Sequence, residues 1–527
     1  MTAISRTHLR AQLFSALAIL TMLALSISAF YWLKTEPRLF RVASSYNVNL
    51  VLLLCVLGLG LSGRDTPAAF RILLAYVTGA LTLYLMTGYA LHDLRVGHPA
   101  ADWLWIPVGF AIASYWRPIL ALLPVMAVMW TKILARKDFG INISSTDYMV
   151  VLELGVLLCL FVLPASLLSF ANFVPKIATI SLFALRRQYL NAAVVIAAAV
   201  HLANYFYSGQ TKLVLENAGL LTWVFENPTY ILTPITQHFG YLTIFEIPWM
   251  PQWVHALLVW ITVPLNAVVL VAQLSVIFAF FSRRFMIGIT VFFDVMHVAI
   301  FALTAIFFWK WILLNLGMVH AFHHLRRDSL RTPLWLGAAA LIVMFSAPQI
   351  FQVARLGWFD SGGVNDARWQ VETRDGTRVD VPSNFFLATS IAFAQQRPGR
   401  PFDGFLPTHD WGTTMDANVM HDFTDACVVE REVSPALNPE KVAIAADFVA
   451  RHHTRMLERA GGSGNVAYDF YPHHIWSSPF AHREFRALDL AEVTTYVLVI
   501  EAKCISVSKD GTVNVKELVR HETRFPL

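Results

Sequence analysis

A lysine sits just beyond a long apolar run that closes in a cluster of aromatic residues. In the stretch 199–227, AVHLANYFYSGQTKLVLENAGLLTWVFEN, His201 lies inside the run and Tyr205, Phe206 and Tyr207 close it. Ser208 and Gly209 turn the chain, and Lys212, Trp223 and Asn227 follow. An amine held against apolar surroundings gives up its proton more readily than one in water, so Lys212 is a candidate base. The competing reading is a lysine at the bilayer edge, its stem along lipid and its head in water.

Asp294 and His297 share a helical face in FFDVMHVAIF. A carboxylate beside an imidazole fixes its tautomer and raises its basicity, as in catalytic sites and around metal ligands. Such a pair can equally stitch two membrane helices together. Glu153 and His201 are single polar residues in apolar runs and read first as satisfied groups of a bundle core. Lys310, between Trp309 and Trp311, has the composition of a lipid-interface anchor. His320, His323 and His324 spell H-x-x-H-H, similar to one box of the di-iron membrane oxygenases. The companion boxes are missing, so the cluster reads rather as a headgroup contact together with Arg326 and Arg327. No metal is assigned. No P-loop, nucleophile elbow or nucleotide fingerprint is present.

The elements that must position these residues are membrane helices. The 527 residues are 56% hydrophobic and 14% charged, with a mean hydropathy of +0.54, too apolar for a soluble globule. The net charge of +5 needs no nucleic acid, because basic residues fall between apolar runs as membrane insertion requires. Apolar runs at 16–33, 48–61, 72–91, 148–170, 190–207, 253–281, 285–316 and 334–351, with a block at 103–134, predict about nine transmembrane helices. Trp116, Arg117 and Pro118 interrupt the 103–134 block, which is one tilted helix or a broken pair. Residues 208–250, with three prolines, are expected to pack over the bundle at the interface.

Past Gln352 the pattern changes. Strands around Asp375-Gly376 and around Asp510-Gly511 predict two β-hairpins. Asn438, Pro439 and the pair Gly461-Gly462 bracket a helix. The expected fold is a polytopic α-helical membrane domain over 1–351 followed by a soluble α+β domain over 352–527, with no internal repeat. Cys55 and Cys159 fall in apolar runs, and Cys427 and Cys504 could pair if the C-terminal part is extracytoplasmic.

YFYSGQTKL at 205–213 with the downstream Trp223 resembles a stretch of the vitamin K-dependent γ-glutamyl carboxylases and of the wider HTTM (horizontally transferred transmembrane) family. DVMHVAIFALTAIFFWKWI at 294–312 is similar to a later helix of that family, and DGTRVDVP to its C-terminal part. The resemblance is strongest within the membrane domain, over about 190–351. It implies an integral, multi-pass protein of a bacterial inner membrane and a lyase- or monooxygenase-like activity. Lys212 would deprotonate a reduced quinone of the vitamin K or menaquinol type, with oxygen and carbon dioxide as co-substrates and a peptide or small molecule as acceptor. His297, Asp294 and His201 would support it, and Tyr205, Tyr207 and Trp223 would face the quinol. The chain departs from the carboxylases in carrying Thr211 where they have a second lysine. The alternatives are a non-enzymatic HTTM protein that binds a partner, of immunity or sensing type, and, behind it, a di-iron oxygenase or a transporter.

Overall fold

A computed structural model describes residues 3–35, 45–87, 105–129, 146–170, 182–238, 250–304, 306–325, 333–382, 385, 402–403, 408, 412–427, 436–465, 483–507 and 512–527. The first part is helical: α1 (Ala3–Thr35), α2 (Ser45–Gly58), α3 (Ala68–Thr87), α4 (Trp105–Ala113), α5 (Pro118–Met129), α6 (Thr146–Phe170) and α7 (Leu182–Lys212). Two short helices, α8 (Thr222–Glu226) and α9 (Leu232–His238), precede α10 (Met250–Ser275), α11 (Arg283–Thr304), α12 (Trp309–His324) and α13 (Leu334–Ile350). Among the described residues six helices are long and apolar enough to cross a membrane, and three more apolar ones, 49–58, 118–129 and 334–350, are shorter. Large apolar side chains such as Trp260 (83% exposed) and Leu334 face outward, as lipid contact requires.

Two expected spans are redrawn. The 103–134 block is a broken pair: α4 ends before Trp116, and α5 restarts at Pro118, whose missing N–H suits a first turn. The 285–316 run is two helices, because the chain leaves the helix at Thr304 and restarts at Trp309. α7 is the central element, with almost every residue from Tyr189 to Tyr205 buried. Lys310 is buried too. Its ammonium lies 5.6 Å from the centre of the Tyr84 ring, inside the protein rather than at a lipid anchor.

The C-terminal part is a four-stranded antiparallel sheet, order β2-β1-β5-β6, built from β1 (Gly363–Thr373), β2 (Arg378–Val381), β5 (Val493–Val507) and β6 (Val513–Pro526). Strands β3 (Phe402–Asp403) and β4 (Ala436–Leu437) form a separate pair. Helix α14 (Ala417–His421) precedes α15 (Pro439–Arg459) and α16 (Arg483–Ala487). Both expected hairpins pair as read, the first with Gly376 at φ +84°. The Asp510-Gly511 turn lies outside the described residues, as do Arg326, Arg327 and Arg331. Asn438 Oδ1 accepts from the Glu440 N–H, and Gly461 and Gly462 at positive φ end α15.

β5 is buried on both faces. Tyr496, Leu498 and Ile500 pack with Phe448, Val449 and Met456 of α15, while Ile505 meets Ile231 and Ile235 near α9. Glu501, 1% exposed, binds Arg368 at 2.7 Å and Arg520 at 2.9 Å and pairs with Lys503, whose Nζ lies 3.2 Å from His238 Nε2 of α9. Burial would raise the Glu501 carboxyl, but the Lys503 hydrogen bond and the surrounding charges hold it below its ordinary value. The sheet therefore meets the bundle through an apolar contact at Ile505 and a hydrogen bond from the Lys503 ammonium to the neutral His238 ring.

Burial, then the charges of Lys503 and Arg368, push His238 down to about 4; burial above all pushes His452 of α15 down to about 3. Both imidazoles stay neutral in the fold, whereas an unfolded chain protonates them near pH 6.5. The stability they confer is complete above that value and is lost as pH falls from 6.5 toward 4, with the larger share from the fully buried His452. Thermal melts of detergent-solubilised protein at pH 7.5 and pH 5 are expected to show a lower Tm at pH 5. His452→Gln, which can still donate to the Phe385 carbonyl, should shrink that difference.

Candidate functional site

Most of the residues singled out in the sequence fall into two clusters along α7. The face of α7 that carries Asn204, Ser208 and Lys212, four residues apart, meets the extended chain that leaves α13. Along that strap alternate backbone groups are taken by bundle side chains. Glu153 Oε2 accepts from Gln352 N at 2.5 Å, Asn204 Oδ1 from Ala354 N at 2.7 Å and Ser208 Oγ from Leu356 N at 3.0 Å. Lys212 Nζ donates to the Leu356 carbonyl at 2.7 Å and to that of Ser208 at 3.3 Å. Trp223 Nε1 donates to the Trp358 carbonyl at 2.8 Å, and Asn227 Oδ1 accepts from Asp360 N at 2.7 Å. The period of two is that of an extended chain, and it places residues 352–360 like a strand on a polar template.

Lys212 is 6% exposed, with its ammonium 5.0 Å from the Trp223 ring centre. Asp360, also buried, accepts from Asn227 Nδ2 at 3.0 Å. Burial raises its carboxyl to about 6, against the lowering by Asn227 and by the Lys212 charge. Gly357 permits this approach: a Cβ there would stand 2.7 Å from Thr211 Cβ and 3.0 Å from the Lys212 nitrogen. Two carbonyls and the Trp223 ring thus surround Lys212 Nζ.

Eleven residues earlier on α7, about 16 Å along the axis, a second cluster lies within the bundle. His201 Nε2 is 2.7 Å from Asn315 Oδ1 of α12. Asn315 Nδ2 donates to Asp294 Oδ1 of α11 and to the Tyr205 hydroxyl, both at 2.9 Å. Tyr205 stacks on Phe293 with centroids 3.9 Å apart. The His297 ring lies 5.8 Å from Tyr205 and 5.2 Å from Phe308, and Trp311 lies 5.7 Å from His201. His201 Nδ1 and Asp294 Oδ2 are buried without a hydrogen-bond partner among the described residues. In lipid such atoms are costly, and buried orphans mark places where a ligand or proton is exchanged.

Four sequence candidates, His201, Tyr205, Asp294 and His297, are thus brought together, and Asn315 joins them. Asn315 escaped notice because a single amide in WILLNLGMV has no motif around it. Lys212 and Trp223 belong to the strap, where Asp360 is the missed partner, hidden in a segment with no helical or strand pattern. Tyr207 joins neither cluster: its hydroxyl donates to the Phe345 carbonyl and its ring faces Arg355. His324 Nδ1 lies 3.1 Å from the His320 carbonyl, and His323 offers its carbonyl to Arg283. Among the described residues no group of three His, Cys, Asp or Glu could hold a metal ion.

An open groove of about 810 Å³ runs between α10 and the first half of α11. Val268, Val271, Ile289 and Phe292 line it, and Ser282 and Arg284 stand at one end. Comparison with family models, with curated proteins and with solved structures finds no match to this chain.

Proposed function

We propose that this protein is a quinol-linked membrane enzyme whose working centre is the His201–Asn315–Asp294 cluster, with Lys212 holding the strap. The observation that carries the reading is the pair of orphaned buried atoms, His201 Nδ1 and Asp294 Oδ2, among aromatic rings. Aromatic rings suit a flat ring and the two polar atoms suit its hydroxyl groups, which supports a reduced quinone as the ligand. A bound quinol would supply reducing equivalents and acidic hydroxyl protons. His201 Nδ1 and Asp294 Oδ2 are placed to accept hydrogen bonds from such hydroxyls. Asn315 fixes the far nitrogen of His201 and the second oxygen of Asp294, which sets both groups in place. The apolar groove next to Phe292 gives a lipid-soluble tail a surface to lie on.

The carboxylase-like resemblance supports a quinol, with oxygen, carbon dioxide and a peptide acceptor as further reactants. It favoured Lys212 as the base; we assign that duty to the cluster instead, because Lys212 Nζ is engaged by the Ser208 and Leu356 carbonyls. Titration of the purified protein with a short-chain menaquinol, followed by quenching of tryptophan fluorescence, tests the reading. Wild type should bind, and Asp294→Asn or His201→Phe should weaken binding at least tenfold while Lys212→Arg does not. Equal affinity in all variants would sink it.

The second reading is a non-enzymatic protein that displays its C-terminal domain to a partner. The strap favours it, because Asn204, Ser208, Lys212, Trp223 and Asn227 are all spent on holding that domain to the bundle.

A further inference from the structure

We infer that the bundle is inserted with its C-terminal domain on the oxidising, extracytoplasmic side of the membrane and its opposite end in the cytoplasm. Two independent observations carry this sidedness. The first is covalent: Cys427 and Cys504 are joined, with Cα atoms 5.9 Å apart, which pins the segment after α14 to β5. Such a bond persists in a periplasm, a lumen or at a cell surface, and is reduced in a cytosol. The two cysteines outside the disulfide, Cys55 and Cys159, are buried in the bundle, where solvent does not reach them.

The second observation is the charge gathered at the end of the bundle away from the domain. The strap fixes the domain to the end where α1, α7 and α13 finish: Lys34 of α1 donates to the Ile350 carbonyl and pairs with Glu153 at 2.9 Å. The other end gathers the start of α3, the turn between α4 and α5, the end of α6 and the start of α7. There Gly63 N donates to the Trp116 carbonyl, Arg71 lies over the Tyr115 ring, and Arg186 reaches Asp65 at 3.4 Å and Ser169 at 2.7 Å. α12 runs antiparallel to α3, with Lys310 against Tyr84 and His320 against Tyr76, so its C-terminus reaches that end as well. Arg283, bonded to the His323 carbonyl, brings the start of α11 there. Arg64, Arg71, Arg117, Arg186, Arg187, Arg283 and Arg284 thus collect at one end, with Asp65 the only acid among the described residues of those turns. Short connections rich in arginine stay in the cytoplasm. The two observations concern different residues and opposite faces, and they assign the same orientation.

The consequence is chemical. A partner or acceptor that meets the C-terminal domain is an exported or cell-surface molecule, whichever reading of the His201 cluster holds. Single cysteines at two exposed positions test this in intact cells, with a membrane-impermeant maleimide as probe. Glu458→Cys on α15 is expected to react before permeabilisation, and Trp116→Cys at the arginine-rich end only after it. Trp116 is chosen because its replacement leaves the arginines in place. Mass spectrometry of the unreduced, alkylated wild type from the same cells should recover a peptide linked through Cys427 and Cys504. Reversed labelling, or both thiols alkylated in protein taken directly from cells, would overturn the assignment. Neither readout depends on quinol binding, so failure here and failure of the proposed function are separable.

Discussion

Replacement of Asn315 by leucine is expected to cost about 2–4 kcal/mol of stability and to abolish quinol binding. The amide is the one group that ties three helices together at the cluster: it meets His201 and Tyr205 of α7 and Asp294 of α11 from its place on α12. Leucine keeps the branched shape and the number of heavy atoms and removes every hydrogen bond. His201 Nε2 and Asp294 Oδ1 then join Nδ1 and Oδ2 as buried groups with no amide beside them. Each stranded group costs about 1–3 kcal/mol in a protein interior, and less in lipid, where rearranged partners recover part of the loss. Asn315→Asp separates the two effects, since it retains an acceptor for His201 but sets a carboxyl against Asp294. Thermal unfolding in detergent, read together with menaquinol-induced fluorescence quenching, checks the outcome. An Asn315→Leu protein with wild-type affinity would remove the cluster from the functional account.

Gly357→Val should release the strap while leaving the bundle folded. Its Cβ would lie 2.7 Å from Thr211 Cβ and 3.0 Å from the Lys212 backbone nitrogen, and backbone does not give way as a flexible side chain does. The strap must then lift off α7, which breaks the bonds from Ser208 and Lys212 to Leu356 and strands a buried ammonium. Overpacking of this kind costs about 1–3 kcal/mol, and loss of the Lys212 partner adds to it. Limited proteolysis is expected to cut within 352–362 at least tenfold faster than in wild type. Lys212→Met should give a milder form of the same change, because the Asn204, Trp223 and Asn227 contacts survive. If Gly357→Val were cut no faster than wild type, the strap would not be the element that docks the domain.

The two clusters also show why Lys212 reads so differently in sequence and in space. Its aromatic neighbours and its place at the end of an apolar run are the same whether it acts as a base or as a clamp. The difference lies in the Leu356 carbonyl, 144 positions along the chain. His201 illustrates the reverse. A lone histidine in an apolar run reads as a satisfied core group, and half of it is: Nε2 has Asn315, while Nδ1 has no hydrogen-bond partner among the described residues.

Local patterns were enough for what depends on local physics. Composition and run length gave a membrane protein, since a bilayer admits only helices with satisfied backbones or closed barrels. Asp375-Gly376, Asn438-Pro439 and Gly461-Gly462 marked a hairpin and a helix, because turn and cap geometry is written in adjacent residues. Pro118 marked a break without saying whether the chain reversed there. Tertiary structure alone decided which polar residues meet. Asp294, His201 and Asn315 come from three helices, and Cys427 and Cys504 from a short loop and a strand. Their contacts depend on helix rotation and strap register, and neither of these leaves a period in the sequence.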